Sequence, residues 1–380
     1  MVPFSRLLVA LAEVPDPRRA QGKRYPLPYL LLFTVLALLS GAESYRGIII
    51  FLDQRLDLLN DYFGVTLKRA PALNTLRNLL QSLDAAALES AFRDHARGLL
   101  PAAEAGAKPV IALDGKTLRG SFDHLEDRKA AQALMAFASE AAILLAHTEI
   151  AEKTNDPKGS AEQQDPGCRG DDPHPRAERR HLHGRCHALP KKAFQAARDT
   201  ENVLIAQVKA NQPTLHDTLK TTCADLAPRD RHSTVDRNRH GRQEHRLIET
   251  FDVKGKVGDE WDGLVAAVAR VTRLTWHKDT KSGLWHETSE TSLYASLEIL
   301  PAAVMGNAIR LHWGIENRNN YVRDVSLNED ASRIRNKPAT FARFRSFALN
   351  ILRANAVSNI RRELYINALN PEQAMAYAVT

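Results

Sequence analysis

An α/β layer behind a small helical domain is the fold class this chain predicts, and three observations predict it. Up to about residue 100, apolar residues recur at three- and four-residue spacing, the period of amphipathic helices. From Pro109 the pattern changes to short aliphatic and β-branched runs bounded by Gly, Pro, Asn and Asp, which read as strands. From Pro301 the chain turns helical again. Strands followed by a helical return in one stretch suggest an α/β layer.

The helical part divides at its breakers. Phe4–Val14 is amphipathic and stops at Pro15-Asp16-Pro17. Helices at Pro28–Ser40, Tyr45–Leu59, Leu73–Leu83 and Asp84–Leu100 follow, with Asn74-Thr75 as a candidate cap of the fourth. Tyr29–Gly41 is the most apolar run of the chain. It is too short to span a bilayer and reads as a buried core helix that stops at Gly41. Pro101–Lys108 is a small-residue linker. The expected organisation is therefore a helical domain over 1–100, a linker over 101–108 and a larger domain over 109–375.

In the larger domain, Pro109–Leu113, Ala133–Ala141, Ala142–Ile150, Asn202–Val208, Leu247–Val253 and Gly263–Val271 read as strands. Ile309–Arg318 and Ala339–Ala356 read as helices. The composition suits this plan. Of 380 residues, 44% are apolar, enough for an ordinary core. A net charge of +7 and a pI near 9.3 favour a polyanionic partner, or simply a basic surface. Three cysteines without a CxxC pair exclude a disulfide scaffold and a zinc ribbon, and suit a reducing cytoplasm. Met1–Ala10 lacks the ordered parts of a signal peptide, so a cytoplasmic location without membrane attachment is expected.

Two islands carry the chemistry. Ile111–Ser121 (IALDGKTLRGS) places Asp114 at the end of an apolar run, before a Gly115-Lys116 turn. Leu311–Asn317 (LHWGIEN) places Glu316 in an aromatic, basic, helix-like stretch, with His312 four residues earlier on the same face, placed either to orient phosphate or metal-bound water or to sit at the core edge. Paired carboxylates on a basic protein point to divalent metal and phosphate chemistry. Around them lie cations suited to DNA phosphates or to a solvated surface. These are Lys116 and Arg119 in the first island, Arg318, Arg323, Arg333 and Arg335 after the second, and Lys209 with Asn211 past the strand Asn202–Val208.

Residues 157–190 break every pattern. The segment is rich in Pro, Gly, Arg, His and Asp and nearly devoid of aliphatics, so no strand or amphipathic helix is drawn through it. Codon arithmetic offers a reason. With permitted third bases, His181 to Pro190 can be CAT CTT CAC GGC CGA TGC CAT GCA CTG CCA. One base later, closed by the A of a Lys codon, the same DNA reads Ile-Phe-Thr-Ala-Asp-Ala-Met-His-Cys-Gln, an apolar strand ending in an acid. Asp156-Pro157 likewise shifts to Ile-Pro. Two compensating insertions or deletions, near codons 156 and 190, would leave 157–190 out of frame. A true variable insert is the alternative reading.

The islands occur in order with ILLAHTEIAEKTND (143–156), KKAFQAA (191–197), LIAQVKANQPTL (204–215), HGRQEHR (240–246) and LHWGIENRNNYVRDVSLNEDASRIR (311–335). Together they resemble the insertion-sequence transposases of the ISAs type, or H-repeat-associated proteins. VPDPRRAQGKRYPLPYLLLFTVLALLSGAESYRGI resembles that family's associated helical domain. The resemblance implies a ribonuclease-H-like fold and a DDE site, in which three carboxylates hold two Mg²⁺ or Mn²⁺ ions that stabilise attacking and leaving oxygens. It implies as partners double-stranded DNA, the element's terminal repeats and target DNA, and a homodimer on paired ends. Asp114 matches the first acid and Glu316 the last. The second acid is absent from its place before KKAF, so a catalytically impaired copy is expected, with one strand and one helix of the core lost. A DNA-binding repressor without catalysis and a metal-dependent nuclease are the rival readings.

Overall fold

The computed structural model describes residues 4–102, 109–122, 130–150, 181–185, 191–238 and 241–378. Residues 103–108 of the linker and most of the segment 157–190 lie outside these residues. The chain forms two compact units: Met1–Ala105, Gly115–Gln163 and Ile315–Thr380 make a helical unit, and Gly106–Asp114 and Gln164–Gly314 make a sheet unit. This division cuts across the linear one, because the first hundred residues pack in one unit with the C-terminal helices.

The helical unit begins with α1 (Ser5–Ala12), α2 (Leu27–Leu39), α3 (Tyr45–Gln54), α4 (Leu56–Phe63), α5 (Leu73–Ser82) and α6 (Ala85–Gly98). It adds the strands β2 (Gln132–Ala138) and β3 (Ile143–Ile150), a π-helical turn over Ile315–Asn320, and α10 (Tyr321–Ser326), α11 (Pro338–Ala354), α12 (Ile360–Leu369) and α13 (Pro371–Met375). Helix α2 is buried on every side from Leu30 to Leu39, as its unbroken apolar sequence requires. It packs on α1, α3, α11 and α12. Gly41, with φ of +82°, ends it in the left-handed region that favours glycine. Helix α11 is buried along Ala339–Leu352, and with α6 it covers β3, which pairs antiparallel with β2.

A chain of buried polar groups ties these elements together. Glu89 of α6 accepts the backbone N–H of His147 in β3 at 2.7 Å and the Arg343 Nε–H of α11 at 2.7 Å. His147 Nδ1 lies 3.2 Å from the same carboxylate, and its Nε2 lies 2.8 Å from Ser346 Oγ. Arg323 of α10 donates to Ser346 and holds Glu329 through Nε at 2.8 Å and Nη2 at 2.6 Å. Arg323 is 0% exposed and Glu329 is 2% exposed, so each is the other's replacement for water.

The sheet unit contains the first part of β1 (Val110–Thr117), then β4 (His181–Arg185), α7 (Lys191–Asp199), β5 (Val203–Val208), α8 (Pro213–Asp225), β6 (Asp230–Asn238), β7 (Arg242–Asp252), β8 (Ala267–Lys278), β9 (Trp285–Ser296) and α9 (Ala302–Gly314). Its strand order is β1-β4-β5-β9-β8-β7-β6. The first three run parallel and the rest antiparallel. Period-two alternation serves two cores. Leu204, Ala206 and Val208 of β5 meet α7 and α8 through Phe194, Leu215 and Leu219. Val203 and Ile205 face the opposite side with Met305, Ala308 and Ile309 of α9.

Several expectations are corrected here. Tyr45–Leu59 is broken into α3 and α4 at Arg55. Helix α5 is preceded by Ala72, which makes no side-chain cap, so Asn74-Thr75 lies inside its first turn. Gly115-Lys116 is not a turn, because β1 continues to Thr117. The segment 157–190 is not irregular throughout: His181–Arg185 forms β4, paired with β1 and β5. Strand pairing uses main-chain groups that every non-proline residue carries, so an atypical composition does not forbid it.

Acid should unfold this architecture by a traceable route. Burial lowers the His95 pKa from 6.5 to about 4. Glu89 is pushed up by burial, but His147 and Arg343 outweigh that and hold it at about 2, against an ordinary 4.5. Both folded values lie below the unfolded ones, so both contributions are complete at neutral pH and drain as pH falls. For His95 the window is 6.5 to about 4; for Glu89 it is 4.5 to about 2. Urea unfolding from pH 7 down to 4 is expected to show falling stability, and His95→Gln is expected to flatten that fall. At neutral pH, Glu89→Gln should cost about 3–5 kcal/mol by removing the buried carboxylate that faces Arg343, which keeps only the half-exposed Glu149 at 3.2 Å.

Candidate active site

Three parallel strands of the sheet unit end on one edge. Asp114 is half-buried near the end of β1. The Cα register of the β1–β4 pair sets Asp114 directly opposite Arg185, the last residue of β4. On the far side of β4, β5 ends at Val208 and is followed by the half-buried Lys209 and the exposed Asn211. The carboxyl ends of adjacent parallel strands are where open α/β sheets bind ligands. Asp114, position 185 and the Lys209–Asn211 turn therefore share an edge suited to a site. Sequence reasoning passed over Arg185 itself; the only signal for it was the shifted reading frame. His312 closes the last turn of α9 and is 3% exposed, so it is an interior group rather than a surface contact.

The remaining candidates belong to the helical unit. Glu316 is exposed in the first turn of the π-helical segment, which interrupts the regular helix at the LHWGIEN island. Such wide turns recur at functional sites. Two residues on, Arg318 donates to the carbonyl of Ser139 at 2.9 Å. Arg119 has 79% of its side chain exposed and lies 3.6 Å from Asp330. Arg333 and Arg335 are exposed, and Arg335 donates to the Phe122 carbonyl at 3.2 Å. Gly120 is required beside them: a Cβ there would stand 2.1 Å from the Ser332 carbonyl oxygen.

Two expected DNA contacts are instead structural. Lys116 is 7% exposed, and its ammonium lies 2.6 Å from Asp324, 3.9 Å from Asp330 and 4.0 Å from Glu329. Arg323 is the fully buried partner of Glu329. Both sit in a tract whose composition is basic, but each has a buried carboxylate to neutralise, and a desolvated acid outcompetes a solvated phosphate for the nearest cation. The acids respond accordingly. Burial raises the Asp324 carboxyl above its ordinary value, with Lys116 opposing and Asp330 and Glu329 adding to the rise. Burial also pushes Glu329 up, but Arg323 reverses it to a net lowering.

Among the described residues no three His, Cys, Asp or Glu side chains are grouped to hold a metal. The residue in register with Asp114 is an arginine, whose guanidinium never deprotonates and has no lone pair to offer an ion.

Comparison with known proteins fits the islands. Residues 8–96 match the family model described as DDE_Tnp_1-associated. Over nearly its whole length the chain is similar to three Escherichia coli proteins. "Putative transposase YncI" of strain O157:H7 is 27% identical over 397 residues, 97% of this chain and 94% of that protein. "Putative protein YbfL" of strain K12 is 28% identical over 384 residues, 95% and 94%. "H repeat-associated putative transposase YhhI" of strain K12 is 27% identical over 381 residues, 95% and 94%. Among solved structures, a piggyBac transposase synaptic complex with hairpin DNA is similar at a TM-score of 0.38 and 11% identity, over 98% of this chain and 79% of that one, too loose a likeness to bear on the site. No helix among the described residues is long and apolar enough to cross a membrane.

The Lys116 assignment is open to a direct check. Lys116→Met should lower unfolding free energy by about 1–3 kcal/mol, because three carboxylates lose their shared cation. Affinity for duplex DNA, measured by fluorescence anisotropy on the folded variant, should stay at the wild-type value. A tenfold loss of affinity without loss of stability would return Lys116 to the DNA surface.

Proposed function

We propose that this chain is an insertion-sequence transposase of the DDE type by descent, with a ribonuclease-H-like core, and that this copy is catalytically impaired. The single observation that carries the reading is the register of β1 with β4. With the permitted third bases, the shifted frame puts an aspartate codon across codons 185 and 186, so in this chain Arg185 stands where that acid would be. The backbone pairing, which knows nothing of codons, puts position 185 beside Asp114. The register thus supports position 185 as the place of the missing acid. The parallel β1–β4–β5 arrangement and the similarity to H-repeat-associated proteins support the same reading.

In an intact copy, Asp114, an aspartate at 185 and Glu316 would supply the carboxylates that Mg²⁺ or Mn²⁺ requires for strand cleavage and joining. Here the middle position carries a cation, which repels divalent ions instead of binding them. We infer that the partners are the terminal repeats and target DNA of such an element. Exposed Arg119, Arg318, Arg333 and Arg335 supply sequence-independent phosphate contacts, and Lys209 with Asn211 flank the strand ends. That combination, cations kept and a ligand lost, also favours a second reading: a protein that occupies element ends without cutting them.

The test is a matched pair of proteins. One is the present chain. The other has the coding segment between codons 156 and 190 returned to its shifted frame. The restored protein is expected to join DNA ends in the presence of Mg²⁺ or Mn²⁺, and its Asp114→Asn variant to lose that activity. The present chain should be at least about 1000-fold slower, the scale of removing one preorganised catalytic group. Equal activity in the two proteins would defeat the proposal of impairment, and inactivity of a well-folded restored protein would defeat the DDE assignment.

A further inference from the structure

We propose that the free end of the β7–β8–β9 ribbon is a DNA wedge. Leu284 and Trp285 would enter the base stack, and Lys278 and Lys281 would meet the flanking phosphates. The inference rests on the reading of the chain as a DNA-handling protein, but none of these residues belongs to the strand-end site or to the basic residues already discussed.

The ribbon is longer than the core needs. Strands β7, β8 and β9 have 11, 12 and 12 residues. Only the halves nearest α7, α8 and α9 contribute to the two hydrophobic clusters. In β9, Trp285 to Thr291 are all exposed, so both faces of the strand are wet there. A strand projecting about 3.4 Å per residue into solvent buries nothing in return for its ordering.

The end of the projection is built and not frayed. Asp279 accepts the backbone N–H groups of Lys281 and Ser282, each at 2.7 Å. Its own N–H donates to the Leu284 carbonyl at 2.8 Å, and Gly283 N–H returns to the Asp279 carbonyl at 2.9 Å. Gly283 has φ of +71°, which a side chain would resist. The neighbouring loop is clamped to it by Lys278 N–H donating to the Gly241 carbonyl at 2.7 Å. This rigid tip presents two adjacent large apolar side chains, Leu284 at 63% and Trp285 at 46% exposure. Trp276, by contrast, has its indole N–H held by Glu287 at 2.9 Å.

Charge selects the partner. At and beyond the rung where Arg242 pairs with His277 and His277 with His286, the described residues carry two cations outside ion pairs, Lys278 and Lys281, while Arg242 is held by the buried Glu244 at 2.8 Å. The one carboxylate among them, Asp279, is occupied by the turn's own N–H groups. A basic β-ribbon fits a DNA groove, and apolar side chains on such elements unstack base steps. A protein partner would need no cations around the apolar pair.

The experiment uses the full chain and a short random-sequence duplex carrying 2-aminopurine. Wild type should raise the 2-aminopurine fluorescence, which reports unstacking. The double variant Leu284→Ser/Trp285→Ser should abolish that rise and bind about tenfold more weakly, the scale of one lost stacking contact. Lys278→Gln/Lys281→Gln should reduce the slope of log affinity against log salt by about 2. Melting curves should be unchanged, since all four side chains lie outside the core. If the serine variant binds and unstacks as wild type does, while Arg333→Gln/Arg335→Gln weakens binding, the wedge is wrong and the DNA reading survives. If the serine variant only converts a dimer to a monomer, the tip is a self-association surface and the proposal falls. If the folded full chain binds no duplex at all, both readings fall.

Discussion

The buried carboxylate Glu89 is the constraint on which the helical unit depends. A charge at that depth must be matched by donors that arrive together, and they come from β3 and α11 as well as its own helix. The N-terminal helices are thereby committed to the C-terminal ones: α6 cannot leave without taking the carboxylate that His147 and Arg343 share. The same logic extends through Ser346 to Arg323 and Glu329, and through Glu329 to Lys116. What the sequence presents as a separate leading domain is physically part of a unit whose pieces are distant in the chain. Hydrophobic periodicity finds the helices of such a unit, but not the ion pairs that join them.

Legibility followed the same division. Helix α2 and strand β5 were readable because every residue in them has one job, burial, and the composition says so. Asp84 was readable as the start of α6, and its side chain does cap that helix by accepting the Ala87 N–H. Strand β9 was missed because its distal half is polar on both faces, and alternation exists only where one face is buried. Lys116 and Arg323 were misread for a related reason. A run of basic residues shows net charge, not where each charge is spent, and the acids that claim these two lie within the same tract.

Strand β4 is the sharpest case. Nothing in its residues advertises a strand, yet β1 and β5 both offer unpaired edges there, and a parallel neighbour satisfies two ladders at once. Backbone hydrogen bonding is indifferent to side chains, so a segment of scrambled composition can still occupy a slot that topology holds open. Catalysis is not indifferent. A metal site consists of the side chains themselves, and a carboxylate exchanged for a guanidinium inverts the local field. A chain altered as proposed would keep its sheet longer than its chemistry.

This separation bears on how such a protein persists in function. DNA affinity in a basic protein is spread over many phosphate contacts, each contributing a little, and losing one strand's side chains removes few of them. Metal-assisted cleavage is concentrated in a few carboxylates, and losing one removes nearly all of it. Exposed Arg119, Arg333 and Arg335 lie in the helical unit, well separated in sequence from the irregular segment, so the frameshift proposed for that segment would leave them intact. Distributed binding outlasting concentrated chemistry is the expected order of decay for any enzyme that acts on a polyanion. On the proposed reading, it is the physical reason that an impaired copy would keep its affinity for DNA.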